Sequence, residues 1–189
     1  MGNGLTQKHT AKSLLIFALP TIVMMIFMSM YIMIDGIFVA NFVSPEALAG
    51  LNLVVPFTNI LASAAVLVGA GGSVVISRKL GGGKDKEARE EFSAIVLITV
   101  LFGAVVTVLG YIFADPILKL LGTPDSLYQV AYDYYSILVL FAIPTLLQVQ
   151  FQYFFVAAGA PTLGMICVIA GGVTHIILDY VFIILFGMD

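Results

Sequence analysis

The stretch Tyr31-Ile32-Met33-Ile34-Asp35-Gly36-Ile37-Phe38-Val39 (YIMIDGIFV, 31–39) sets one ionisable carboxyl inside a run that is otherwise apolar. Upstream, LLIFALPTIVMMIFMSM (14–30) carries no charge, so the apolar segment is continuous from about 13 to 42. That exceeds the roughly 20 residues that cross a bilayer core. An ionised Asp at the centre of such a helix costs about 2.5 to 3.5 kcal/mol on insertion scales. The carboxyl must therefore be protonated, paired, or beside a wet cavity, and a carboxyl in that setting can load and release protons.

The rest of the chain agrees with a membrane setting. Its 189 residues are 61% hydrophobic and 10% charged, with a mean hydropathy of +1.10. Water-soluble domains are about half apolar and about a quarter charged. Five spans can be drawn, over about 13–42, 47–77, 92–113, 127–158 and 163–186, which predicts an all-α polytopic membrane protein. Pro20, Pro56 and Pro144 fall inside the first, second and fourth spans and are the expected bend sites, because proline removes a backbone donor and clashes with the preceding turn. The segment 114–126 (ADPILKLLGTPDS) is turn-rich, with a short interfacial helix expected around ILKLL.

Charge placement predicts the orientation. Lys8, Lys12, Arg78, Lys79, Lys84, Lys86 and Arg89 make seven cations on one side, against Lys119 on the other, so the amino terminus and the loop around residue 82 are expected on the cytoplasmic side of the plasma membrane. The first span is too long for a signal-peptide core and no cleavage site follows it. MGNGLT (1–6) matches the loose myristoylation pattern. Cys167 has no second cysteine to pair with. Gly81-Gly82-Gly83 and the preceding VGAGGS do not make a phosphate cradle, since no strand or Walker spacing accompanies them; glycine pairs in membrane helices serve close packing. No nucleic-acid partner is expected.

Of eleven acidic residues, nine fall in loops or near predicted helix ends; Asp35 and Asp179 do not. Odd-numbered spans run outward in the predicted topology, so both carboxyls belong to the same half of the bilayer and can meet. His175 precedes Asp179 by four residues and shares its helical face. Two readings of His175 stand together: a second titrating group coupled to the acid, or a hydrogen-bonding residue that joins packed helices. The donor set suits a proton or sodium at Asp35 and Asp179 better than a structural or catalytic zinc. No serine or cysteine nucleophile has a base beside it, so an enzyme is not expected, and no cofactor is called for beyond a coupling proton or sodium. Gln148 and Gln152 share a face of the fourth span, where they either line a substrate path or bond to a neighbouring helix. Met24, Met25 and Met28 form an adaptable apolar face.

The order Pro20, IDGIFVANFVSPEALAGLN (34–52), VGAGGSVVISRKLGGGKDKEA (68–88), ILKLLGTP (117–124), FQYFFVAAGAPTLG (151–164) and HIILDYVFI (175–183) resembles the amino-terminal lobe of the multidrug and toxic compound extrusion (MATE) family. The resemblance covers essentially the whole chain. It implies a cation-coupled antiporter, driven by proton or sodium, that exports amphipathic and often cationic compounds. It further implies that Asp35 and Asp179 form an amino-lobe cation site and that the first helix bends at Pro20. Two departures stand out. Many family members with this site have Asn where this chain has His175, which leaves the coupling ion open. The family has twelve spans in two lobes, so the five spans read as a truncated single lobe, incompetent alone and completed by a missing carboxy-terminal lobe or another chain. The rival readings are a lipid-linked oligosaccharide flippase of the same superfamily, disfavoured because its phosphate would need intramembrane Lys or Arg, and a non-transporting membrane scaffold subunit.

Overall fold

The computed structural model describes residues 11–186. Lys8 and the MGNGLT pattern lie outside the described residues. The chain is an all-α membrane protein, with no strand among the described residues. Helix α1 spans Ala11–Phe38 and passes into a π-helical turn at Val39–Val43. Then follow α2 (Pro45–Gly81), α3 (Asp85–Ile112), the short α4 (Ala114–Leu120), α5 (Tyr128–Leu140), α6 (Ala142–Ala157) and α7 (Pro161–Asp179), the last continued by a π-helical turn at Tyr180–Leu185. Four helices are long and apolar enough to cross a membrane, or five when α5 and α6 count as one bent span.

The sequence explains where these helices start and break. Ser44 is extended and its hydroxyl accepts the Ala47 N–H at 3.0 Å, with Pro45 in the first helical position and Glu46 in the first turn of α2. At the far end of α2, Gly83 takes φ +72°, and the Lys84 N–H donates to the Lys79 carbonyl at 3.0 Å. The triple glycine is thus a helix-ending turn. Helix α1 continues unbroken through Pro20 and α2 through Pro56. The break in the fourth span falls at Phe141, where α5 and α6 meet at 60°. Pro144 sits in the first turn of α6 and has no N–H for the carbonyl of Leu140, four residues back, where α5 ends.

The described residues fall into two units, one formed by 11–48 with 159–186 and the other by Ala49–Ala158. In the second unit α2, α4, α5 and α6 contribute the buried Val54, Leu61, Leu118, Tyr135, Val139 and Leu146. Close approach is licensed by glycine: a Cβ on Gly103 would come within 2.7 Å of Ile143 Cγ1 and 3.2 Å of its backbone Cα. Side chains also satisfy backbone groups across helices, with Thr107 Oγ1 2.9 Å from the Val139 carbonyl and the Tyr135 hydroxyl donating to the Gly110 carbonyl at 3.1 Å. In the first unit α1 packs along α7. Three successive meetings, Phe27 with Gly172, Tyr31 with His175, and Asp35 with Asp179, climb both helices in the same sense, so α1 and α7 run parallel.

Candidate cation site

The parallel register brings the acids together. Asp35 from α1 and His175 and Asp179 from α7 each offer a ligand atom, and no two of these atoms are more than 4.8 Å apart. The spacing on α7 follows from helix geometry, since residues four apart stand on one face. His175 Nδ1 lies 2.8 Å from Asp179 Oδ2, and the tautomer with the proton on Nδ1 donates to the carboxylate. The Tyr31 ring meets the imidazole edge-on, with centroids 5.4 Å apart at 78°. One turn below, a Cβ at Gly172 would lie 2.6 Å from the Phe27 ring, so any larger residue there would force the ring to move.

The site is graded in exposure. The Asp179 side chain is 16% exposed and that of His175 47%, while Asp35 is half-buried. Two carboxylates and one imidazole present four carboxylate oxygens and a ring nitrogen in a small volume. Hard cations take oxygen ligands at about 2.3 to 2.6 Å, so opposed ligands stand about 5 Å apart, a spacing the cluster fits. A carboxylate oxygen also accepts a proton, so the same atoms can hold H⁺ in place of a metal cation.

Both helices leave regular α geometry just beyond their acids. The π-helical turn after α1 begins four residues past Asp35, and the one after α7 begins at the residue following Asp179. Such turns shift the register of the side chains beyond them and are frequent at functional sites.

Sequence reasoning singled out Asp35, His175 and Asp179, and the structure brings all three together. Tyr31 was not assigned a role, although its place one turn before Asp35 puts it on the same face. Gln148 and Gln152 lie in the other unit, on α6: Gln148 is exposed, and the half-buried Gln152 has a buried Nε2 without a protein partner. The glutamine that organises that helix is Gln150, fully buried and donating from Nε2 to Thr99 Oγ1 at 2.9 Å. Of the methionine face, Met24 is buried and Met25 exposed.

Comparisons with known proteins agree on one family. The MatE family model matches residues 20–181. An FAD transporter of Shewanella oneidensis is 30% identical over 132 residues, covering 70% of this chain and 29% of its own length. The multidrug export protein MepA of Staphylococcus aureus is 26% identical over 178 residues, covering 94% of this chain and 39% of its own length. Among solved structures, the MATE transporter ClbM in complex with Rb+ aligns with a TM-score of 0.84 at 28% identity, covering 93% of this chain and 40% of that one. The chain therefore spans about two fifths or less of the length of these relatives.

Proposed function

Because the chain belongs to the MatE family, we propose that it contributes the amino-terminal part of a cation-coupled exporter whose coupling site is Asp35, His175 and Asp179. The convergence of two intramembrane carboxyls from parallel helices carries this reading. Intramembrane acids are costly and mark ion pathways. Uptake of a proton or sodium from outside lowers the negative charge of the pair by one, its release inward restores it, and the free-energy difference between the two states drives the rocking of one bundle against another that alternating access needs. The second bundle comes from a carboxy-terminal lobe or another chain. Helix packing through His175 alone, as in a scaffold subunit, would not call for two acids beside it.

The substrates are amphipathic and often cationic small molecules. The spans of this chain lack Lys and Arg between residues 13 and 77 and between 120 and 189, so a phosphate-bearing cargo finds no cation there. That argues against an oligosaccharide-lipid flippase and against a dinucleotide of the sort carried by the FAD transporter it resembles. The five cations at the facing ends of α2 and α3 and in the turn between them (Arg78, Lys79, Lys84, Lys86, Arg89) support a cytoplasmic placement of that end in the plasma membrane. The family consists of transporters, and the chain acts without enzymatic chemistry.

The test is efflux of an amphipathic cationic dye by a complete transporter containing this chain. Asp35→Asn and Asp179→Asn should each abolish ion-driven efflux at unchanged membrane abundance. Full efflux in both variants would rule out the cluster as the coupling site.

A further inference from the structure

At the α2–α3 loop end of the second unit, an apolar groove of 270 Å³ opens between the end of α2, the start of α3 and the end of α6. Its floor is phenylalanine: Phe92 meets Phe154 at 5.2 Å and Phe151 at 5.8 Å, both edge to face. Phe155 and Ala158 line the open side, and Arg89 stands at the rim, one turn before Phe92.

The charges around this rim are unequally committed. Lys79 pairs with Glu91 at 2.6 Å and reaches Glu87 at 3.7 Å, Lys84 pairs with Glu87 at 3.0 Å, and Lys86 with Glu90 at 3.9 Å. The lysines thereby consume the loop's glutamates. Arg89 is exposed and is in no ion pair among the described residues, and Asp85, one turn before it, does not take it up. A free guanidinium at the mouth of an aromatic groove, at the depth where the apolar run of α3 begins, is complementary to a molecule with an anionic head and an apolar tail. Guanidinium grips phosphate with two parallel N–H donors, and basic pockets between membrane helices on this side are the places where anionic head groups collect.

From this arrangement we infer that the groove is a binding site for an anionic phospholipid, its phosphate on Arg89 and one acyl chain along Phe92, Phe151 and Phe155. The lipid holds the ends of α2, α3 and α6 together at the membrane surface. The site is independent of the carboxylate cluster, so the proposal does not rest on the coupling role given to Asp35.

Native mass spectrometry of the full chain, equilibrated with phosphatidylglycerol or phosphatidylcholine of identical acyl chains, tests it. Phosphatidylglycerol should be retained preferentially, and Arg89→Gln should lower its retention about fivefold, as expected for one cation near the surface. Arg78→Gln, a control at an exposed cation that does not line the groove, should lower retention clearly less than Arg89→Gln does. Ala158→Trp, which fills the groove from its exposed side, should lower retention with every charge intact. The proposal fails if the two lipids are retained equally, or if Arg89→Gln retains the wild-type amount. It fails equally if inorganic phosphate displaces the lipid, which would mean a head-group site without the groove, or if a second copy of the chain occupies the groove and Ala158→Trp removes only the dimer.

Discussion

His175 Nδ1 and Asp179 Oδ2 stand 2.8 Å apart across one turn of α7, and the face of helix that carries them is turned to Asp35. The imidazole thus orients one carboxylate toward the other. A substitution that keeps an N–H donor at 175 should preserve that orientation, and one that keeps only the ring should not. In a complete transporter, His175→Asn is expected to keep ion-driven efflux within about threefold, whereas His175→Phe is expected to lower it about tenfold or more, the factor for losing a charge-assisted hydrogen bond of about 1.5 to 3 kcal/mol. Dye-efflux rates at matched abundance measure both. Equal rates in the two variants would show that the side chain only fills space.

The register that brings Asp35 to Asp179 is held one and two turns below by ring contacts. Phe27 lies so close to Gly172 that a Cβ would sit 2.6 Å from its Cε1. Gly172→Ala should therefore push α1 and α7 apart at a cost of about 1 to 3 kcal/mol, typical of overpacking. Phe27→Leu in the same chain should recover part of the loss, giving a favourable coupling in the double-mutant cycle. Thermal unfolding followed by circular dichroism reports it, and strictly additive losses would argue against direct contact.

How much of this was legible beforehand differs between the two units. Around Asp35 and Asp179 the sequence was informative because charge in an apolar helix is rare, and because span counting assigned both helices the same direction; the parallel pairing of α1 and α7 then puts the two acids side by side. Pro144 stands three residues past the break at Phe141, and Pro20 and Pro56 lie inside helices whose hydrogen-bonded run continues past them. A proline removes one donor wherever it sits, and whether the helix parts there depends on what else can reach the freed carbonyls. Composition does not record that. Gln150 was passed over beside Gln148 and Gln152 because periodicity cannot say which face of α6 turns toward α3, and only packing makes Gln150 the buried one.

Thr99 and Gln150 make the polar contact between α3 and α6, and they are not equivalent. The Thr99 hydroxyl donates to the Ile95 carbonyl at 2.9 Å and accepts from Gln150 Nε2 at 2.9 Å, while Gln150 Oε1 is buried without a partner. Thr99→Val strands the whole buried amide and should cost about 1 to 3 kcal/mol. Gln150→Leu removes an amide that is already half unsatisfied and leaves the threonine bonded within its own helix, so it should be nearly neutral or stabilising. The ranking is read from unfolding midpoints of the two variants; a greater loss in Gln150→Leu would contradict it.

The bend at Phe141 leaves carbonyls of the last turn of α5 in need of donors, and Thr107 Oγ1 stands 2.9 Å from that of Val139. Broken helices persist in lipid only where protein or water meets such groups. Thr107→Val should then destabilise by about 1 to 3 kcal/mol, the cost of an unpaired buried acceptor. In a Pro144→Ala background the backbone regains an N–H for Leu140, and the helix can close across the break so that Ile143 bonds Val139. The same Thr107→Val change should cost clearly less there, a non-additivity expected only of groups that share one network. Because the chain contains no tryptophan, the helical circular dichroism signal is the practical readout. An undiminished cost in the alanine background would mean that the threonine serves its own helix, through the Gly103 carbonyl at 3.0 Å, and not the bend.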